Sequence, residues 1–180
     1  MPDHVDRILG QWAGARPDLD VSPMAVIGRV TRLARVLDSE MRRTFAKHDL
    51  DRPAFDVLAT LRRSGRLTPV ELMRSAMITS GAISQRLDRL EARGLVTRQP
   101  DSTNGRRVYV DLTAEGRELI DRALPDHVDT EHRLLKSMTR AQRDKLAGTL
   151  RNLLLALDDF AEEDSEPAAG PTGPTPPRLT

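Results

Sequence analysis

The sequence of 180 residues contains no cysteine, and aromatic residues make up only 3% of it. The absence of cysteine excludes disulfides, thiolate zinc sites, nucleophilic thiols and thiol redox sensors. Because aromatics are so scarce, a buried core has to be built from Leu, Val, Ile, Met and Ala, and this favours helices over a large sheet. A chain of this length can bury one core of ordinary size.

Long apolar runs and targeting signals are also lacking. The amino-terminal segment MPDHVDRILGQW carries acidic residues and has neither the basic start nor the apolar run of a signal peptide. No stretch of the sequence is long enough to span a membrane. We therefore expect a cytoplasmic protein.

The common signatures of catalytic and metal sites are missing as well. The sequence has no Gly-rich phosphate loop and no Gly-x-Ser-x-Gly elbow. Its histidines are scattered, and the spacing of His127 and His132 does not put both on one helix face. We expect no catalytic residues, no cofactor and no metal site, and an enzyme is the least favoured class of protein.

Charge is balanced overall but uneven along the chain. The net charge is +1, yet basic residues outnumber acidic ones between Arg66 and Asp111. The base-rich part is where a nucleic acid would bind. Residues 162–180 are acidic and then rich in Pro, Gly and Thr, so they are predicted to form a disordered tail.

Apolar residues at helical spacing, together with capping residues, predict a series of helices. A first helix contains Val5 to Trp12, and a second begins with Ser22 as its N-cap and ends near Lys47. Three shorter helices are predicted over residues 52–63, 69–77 and 80–93. After a helix that resumes at Thr113, which Pro125 is expected to kink or interrupt, a last helix begins in a capping box at Thr139.

After Gly94 the spacing of the apolar residues changes from that of a helix to that of strands. Residues 95–98 and 107–112 are predicted strands, and Asn104-Gly105 lies in the turn between them. Three short helices, a Ser80-Gly81 break before the last of them, and a hairpin describe a winged helix-turn-helix. The predicted fold is mainly α with a small β-hairpin: helical dimerisation segments at 1–50 and 113–161 flank a winged helix-turn-helix at 51–112.

In this arrangement residues 80–93 form the recognition helix and the hairpin forms the wing. Small or hydrogen-bonding side chains let the start of the helix approach base edges, where Gln reads adenine and Arg reads guanine. Basic wing residues reach phosphates or the minor groove. The candidate DNA-binding residues are Ser80, Ala82, Ser84, Gln85, Arg86, Arg89, Arg106 and Arg107. The alternative is that these side chains form an ordinary solvated helix face.

The run from Leu67 to Gly116, LTPVELMRSAMITSGAISQRLDRLEARGLVTRQPDSTNGRRVYVDLTAEG, resembles the MarR (multiple antibiotic resistance regulator) family of bacterial repressors. The resemblance rests on RLxxLEARGLV, the Arg-rich wing and the closing V-x-LT-x-x-G, and it extends over residues 22–160. It implies a homodimer, held by interlocking flanking helices, that reads a palindromic site in duplex DNA. The wing departs from the family pattern, because Asn104-Gly105-Arg106-Arg107 replaces Asp-Arg-Arg.

The additional first helix with its Trp resembles the urate-responsive, PecS-type subgroup of this family. That resemblance implies an anionic ligand of the urate, citrate or trans-aconitate type, held by Trp12, Asp56, Arg86 and Arg98. Arg supplies planar cationic donors for an anion, and Trp can stack on a planar ligand. The alternative is structural: Trp12 anchors the first helix, and Asp56 pairs with a surface Arg.

Three functions remain open on the sequence. The first is a repressor that binds its operator as a dimer and is released by a small anionic metabolite. The second is a winged-helix DNA-binding protein without a ligand, and the third is a winged-helix module for protein contacts. Steep salt dependence of DNA binding would separate the first two from the third.

Overall fold

The computed structural model describes residues 1–76, 83–101 and 107–157. Within these ranges the chain is mainly helical with one antiparallel pair of strands, so the predicted fold class is confirmed. None of the helices in these ranges is long and apolar enough to cross a membrane. The elements are α1 His4–Ala15, α2 Ser22–Ala46, α3 Arg52–Ser64, α4 Pro69–Ser75, α5 Ile83–Ala92, β1 Val96–Pro100, β2 Val108–Leu112, α6 Ala114–Leu134 and α7 Arg140–Ala156.

The chain divides into two compact units, Met1–Thr139 and Arg140–Thr180. The second unit contains α7, which starts where the last helix was predicted to start. The leucines of α7 are exposed: Leu146, Leu150, Leu153, Leu154 and Leu155. The predicted disordered tail at 162–180 lies outside the described residues.

The core of the first unit lies where α3, α5, α6 and the hairpin meet. It is almost entirely aliphatic, as the composition predicts, and burying each large side chain contributes about 2 kcal/mol. The aromatic exceptions are Phe45 and Phe55, whose rings stack with centroids 4.5 Å apart. The largest fully buried side chains include Leu58, Leu61, Leu72, Leu87, Leu90, Ile120, Val96 and Val110.

Side-chain caps fix the starts of the short helices. The Asp51 carboxylate accepts the Ala54 backbone N–H at 2.7 Å. Thr68 and Glu71 form the predicted capping box, in which each side chain accepts the other residue's backbone N–H. The predicted N-cap of α2 is wrong: Val21 caps that helix, because the Ser22 N–H donates to the Asp20 carboxylate at 2.9 Å and Ser22 becomes the first helical residue.

Of the two effects expected of Pro125, a kink or an interruption of the helix after Thr113, the interruption is wrong, because α6 runs through Pro125 from Ala114 to Leu134. Proline removes one backbone hydrogen bond of the helix. The turns on either side are held by packing: Ala123 is fully buried, and the buried Thr130 hydroxyl lies 2.8 Å from that of Thr44 on α2. These contacts offset the lost bond.

The hairpin pairs Val96 with Leu112 and Pro100 with Val108. On its other side β2 pairs with the segment before α4, since Val110 and Leu67 exchange backbone hydrogen bonds of 2.8 and 3.1 Å. The wing is therefore joined to the helix-turn-helix through the middle of β2. The predicted strands are confirmed to within two residues, whereas their turn at 102–106 lies outside the described residues.

The start of α6 lies against the turn that leads from α5 into the wing. Gly94 ends α5 in the left-handed region, with a φ of +68°. The Thr113 hydroxyl donates to the Gly94 carbonyl at 2.6 Å and accepts the Gly116 N–H at 3.0 Å. A Cβ at Gly116 would lie 1.9 Å from the Leu95 carbonyl oxygen, so only glycine permits this approach.

The amino-terminal helix packs on α2 through charge as well as apolar contact. Arg29 on α2 donates to Asp3 at 2.9 Å and to Asp6 at 2.6 Å, and Val5 is buried. Trp12, near the other end of α1, is 39% exposed. Large apolar side chains of α2 are also exposed, among them Ile27, Val30, Leu33 and Val36.

Candidate nucleic-acid interface

Helix α5 has one buried face and one solvent face. Ile83, Leu87 and Leu90 are buried and fix the helix to the core. Ser84, Gln85 and Arg89 are exposed, and Arg86 is half-buried at the boundary. A helix held in this way presents its polar face outward, as reading base edges in the major groove requires.

One flank of α5 is basic and borders a cleft. Arg86, Arg89 and Arg93 follow one another at spacings of three and four residues, and so lie along the same side of the helix. The cleft has a volume of about 410 Å³, and its other walls are the end of α2 and the start of α3. Arg93 pairs with Asp49 at 3.2 Å, whereas Arg86 and Arg89 form no ion pair within the part of the chain that the structure describes.

Asp56 on α3 lies within electrostatic range of this flank. Burial raises the pKa of the Asp56 carboxyl, and the positive charges of Arg52 and Arg86 are among those that oppose the rise. The Arg52 guanidinium is 3.9 Å from the carboxylate. The structure thus brings together two of the four predicted ligand residues, Asp56 and Arg86, and also gives Asp56 a neighbouring surface Arg.

Arg98 occupies the opposite flank of α5. Its guanidinium donates to Asp88 at 2.6 Å, to Glu91 at 3.1 Å and to the Ser84 carbonyl at 3.2 Å. At 100° per residue, the flank that carries these groups is on the far side of the helix from Arg86. Arg98 and Arg86 are therefore not brought together, and Trp12 lies on α1, which packs against α2.

The described part of the wing carries Arg107, which is exposed. Its carbonyl accepts the Asp101 N–H at 2.8 Å, so the base of the hairpin is closed just before the turn. Of the predicted DNA-binding residues, Ser80, Ala82 and Arg106 lie outside the described residues. Ser84, Gln85, Arg86, Arg89 and Arg107 are on the surface formed by α5 and the wing.

Two basic residues near this surface, Arg93 and Arg66, were not among the candidate DNA-binding residues predicted from the sequence. Arg93 continues the spacing of Arg86 and Arg89, and that signal was present in the sequence. The Arg66 guanidinium lies 4.8 Å from the centre of the Tyr109 ring, a cation–π contact. Nothing in the sequence indicated it, because the pairing of Leu67 with β2 is what brings these two residues together.

A helix buried by one face, with a polar and basic surface beside a basic β-hairpin, defines a winged helix-turn-helix DNA-binding protein. The MarR family model matches residues 48–107. The HTH-type transcriptional regulator PecS of Dickeya dadantii is 38% identical over 149 residues, which are 81% of this chain and 90% of PecS. The chain belongs to the MarR family of transcriptional regulators, so the resemblance seen in the sequence is confirmed. This is not a family of enzymes.

Solved structures agree with this assignment. Sco3205, a MarR-family regulator of Streptomyces coelicolor in complex with DNA, matches with a TM-score of 0.71 and 26% identity, covering 77% of this chain and 89% of that one. BpsR of Bordetella bronchiseptica, whose DNA binding is regulated by 6-hydroxynicotinic acid, matches with a TM-score of 0.64 and 25% identity, covering 71% and 91%. The chain is a MarR-family regulator that binds DNA through its winged helix-turn-helix.

Proposed function

We propose that this regulator is a ligand-responsive repressor that binds a palindromic operator as a homodimer and is released by a small anionic metabolite. The observation that carries the proposal is the double position of Arg86. It lies at the boundary between the buried and solvent faces of α5 and lines the cleft, and its positive charge opposes the rise in the pKa of the Asp56 carboxyl. An anion bound there would compete with DNA for the same helix.

The DNA contacts follow from exposure and position. Ser80, Ala82, Ser84, Gln85, Arg86 and Arg89 would face base edges, and Arg106 and Arg107 would contact phosphates from the wing. Within the described residues, Ser84, Gln85, Arg89 and Arg107 are exposed, which supports their part in this proposal.

The homodimer is supported by apolar surface on α1, α2 and α7. Trp12 is 39% exposed, Leu33 50% and Leu154 48% in the single chain. Exposed apolar surface of this kind marks an interaction site, and a two-fold dimer would bury it and place two recognition helices on the two halves of a palindrome. Sedimentation of the protein at micromolar concentration tests this, and a monomer would contradict it.

The ligand is proposed to be an anion of the urate, citrate or trans-aconitate type. Arg86 and Arg89 offer cationic donors that no carboxylate of the described residues occupies, and a planar acid suits the fork of a guanidinium. Asp56 would oppose such a ligand and move when it binds, and Trp12 would stack on a planar ligand. Arg98 would contact the ligand only if its ion pairs with Asp88 and Glu91 were broken. BpsR, which responds to a small aromatic acid, supports this class of ligand.

A DNA-binding protein without a ligand is the second candidate. It is favoured by the partners that Asp56 and Arg98 already have, since Arg52 lies beside the first and two carboxylates hold the second. These contacts give both residues a structural role in the absence of any small molecule.

The experiment that separates the two candidates measures operator affinity by fluorescence polarisation, using a duplex that the protein selects from a random-sequence library. Urate, citrate, trans-aconitate and 6-hydroxynicotinate are added at constant ionic strength, with chloride as the control anion. At least one should weaken binding roughly 5- to 150-fold, the usual range of coupling between two sites. Emission of Trp12, the single Trp, should change over the same titration.

Two variants make the result specific. Asp56→Asn should lower the concentration of anion needed for release, because it removes the negative charge that opposes the ligand. Asp121→Asn is the matched control, since Asp121 pairs with Arg62 on the α3–α6 surface away from the cleft. If none of the four anions acts beyond chloride, the function without a ligand is the correct one.

A further inference from the structure

Arg98 is a charged side chain at a position where the wing strand faces inward. Along β1, residues two apart point to the same face, so Arg98 shares its face with the buried Val96. Its partner across the hairpin is Val110, which is fully buried. An Arg in this place has its guanidinium directed at the flank of α5 rather than at solvent, and 27% of its side chain is exposed.

The contacts of Arg98 connect the wing to the recognition helix at several points. Its guanidinium bonds to the carboxylates of Asp88 and Glu91 and to the Ser84 carbonyl, over a span of two helical turns. The other oxygen of Glu91 accepts the Arg98 backbone N–H at 3.1 Å. Both the side chain and the main chain of β1 are therefore held to α5.

We propose that Arg98, Asp88 and Glu91 form a clamp that sets the angle between the wing and the recognition helix, so that Arg98 is a positioning residue for DNA binding. The hairpin leaves α5 through the turn at Gly94, and the orientation of β1 determines where Arg107, the residue just before β2, is presented. Without the clamp, the position of α5 in the major groove and that of the wing on the DNA backbone are less fixed relative to each other. Affinity for the operator then falls, although no DNA contact is lost.

The carboxylates of Asp88 and Glu91 lie on the recognition helix, where their negative charge repels the phosphates of DNA. This repulsion and the clamp predict opposite effects of removing the charge. If Asp88 and Glu91 were only negative charges near phosphate, the isosteric double variant Asp88→Asn/Glu91→Gln would bind the operator more tightly. The clamp predicts the opposite sign. It predicts a loss of roughly tenfold, within the range of coupling transmitted through a packed network.

The test measures affinity for the library-selected duplex at several salt concentrations, without any small ligand, for the carboxylate double variant, for Arg98→Gln and for the triple variant. We expect the first two to lose affinity by similar factors and the triple variant to lose no more than either, as two halves of one interaction do. The salt slope should stay that of the native protein, since Arg98 does not touch phosphate. Arg98→Lys, which keeps the charge, should recover part of the affinity.

Arg62→Gln/Asp121→Asn is the matched control, because it removes an ion pair of 2.7 Å between α3 and α6 and leaves the wing alone. It should not change affinity. Circular dichroism of every variant establishes that it is folded. Tighter or unchanged binding by the carboxylate variant, or a salt slope lowered by about one charge in Arg98→Gln, would overturn the clamp. Because no ligand is used, this outcome is independent of whether an anion releases the operator.

Discussion

Replacing Gly116 by Ala tests the junction between α6 and the wing. The new Cβ would lie 1.9 Å from the Leu95 carbonyl oxygen and 2.9 Å from its carbon, where ordinary contacts begin near 3.4 Å. The obstructing atoms belong to the backbone, so they cannot rotate away as a flexible side chain would. Either α6 or the first residue of the wing has to move by more than 1 Å.

The cost can be assembled from the contacts involved. Overpacking of this kind costs about 1 to 3 kcal/mol. The Leu95 carbonyl also accepts the Thr113 N–H at 3.2 Å, and losing that bond adds about 1 kcal/mol. Alanine returns up to about 1 kcal/mol through its higher helix propensity. With the full gain from alanine, we expect a net loss of roughly 1 to 3 kcal/mol in the free energy of unfolding.

Urea denaturation at fixed protein concentration measures this loss, because the stability of the proposed dimer would depend on concentration. Gly10→Ala is the matched control: nothing lies within 4 Å of its added Cβ, and position 10 is on the side of α1 away from Val5 and Trp12. That variant should gain up to about 1 kcal/mol. If Gly116→Ala is as stable as the native protein, the close approach of α6 to Leu95 is refuted.

Three further predictions concern DNA, pH and assembly. Arg86→Ala should weaken binding to the selected operator by about 1 to 3 kcal/mol and relax base preference. Arg107→Ala should instead weaken binding to all duplexes and lower the salt slope by about one. The same affinity loss and salt slope for both variants would contradict the assignment of Arg86 to bases and Arg107 to phosphates. Burial raises the pKa of Asp56, so the ionised carboxylate destabilises the folded state. Asp56→Asn should therefore raise the melting temperature at pH 7. This gain should vanish as the pH falls below the ordinary carboxyl range near 4, where the carboxyl is neutral in both the folded and the unfolded state. Leu33→Glu should shift the sedimentation coefficient toward that of a monomer, because it puts a charge into the proposed dimer surface.

The sequence predicted the starts of α3 and α4, the end of α5 and the strands of the wing because these depend on neighbouring residues. Thr68 and Glu71 cap each other across one turn, and Gly94 ends α5 in a conformation that glycine adopts easily. The V-x-LT-x-x-G pattern carried the family resemblance, and the structure supplies its physical reason. Thr113 both caps α6 and bonds to Gly94, while Gly116 allows the helix to approach Leu95.

What the sequence did not predict depends on residues that only the fold brings together. Arg98 and Arg86 could be assigned to one ligand site from sequence, but which flank of α5 each occupies depends on the direction of the hairpin. Pro125 has the local signal of a helix break, and its effect is decided by the burial of Ala123 and the Thr44–Thr130 contact. Local patterns cannot weigh such packing against a lost hydrogen bond.

Under the proposed function, DNA and a small anion compete for the recognition helix. Calorimetric titration of urate, citrate, trans-aconitate or 6-hydroxynicotinate into the free protein, and into the protein saturated with its selected operator, tests this claim most directly. Linkage requires that DNA weaken binding of the anion by the same factor by which the anion weakens binding of DNA. We predict a dissociation constant for the active anion that is at least about fivefold higher in the presence of operator. Equal constants in the two titrations, or no binding of any of the four anions, would contradict the claim.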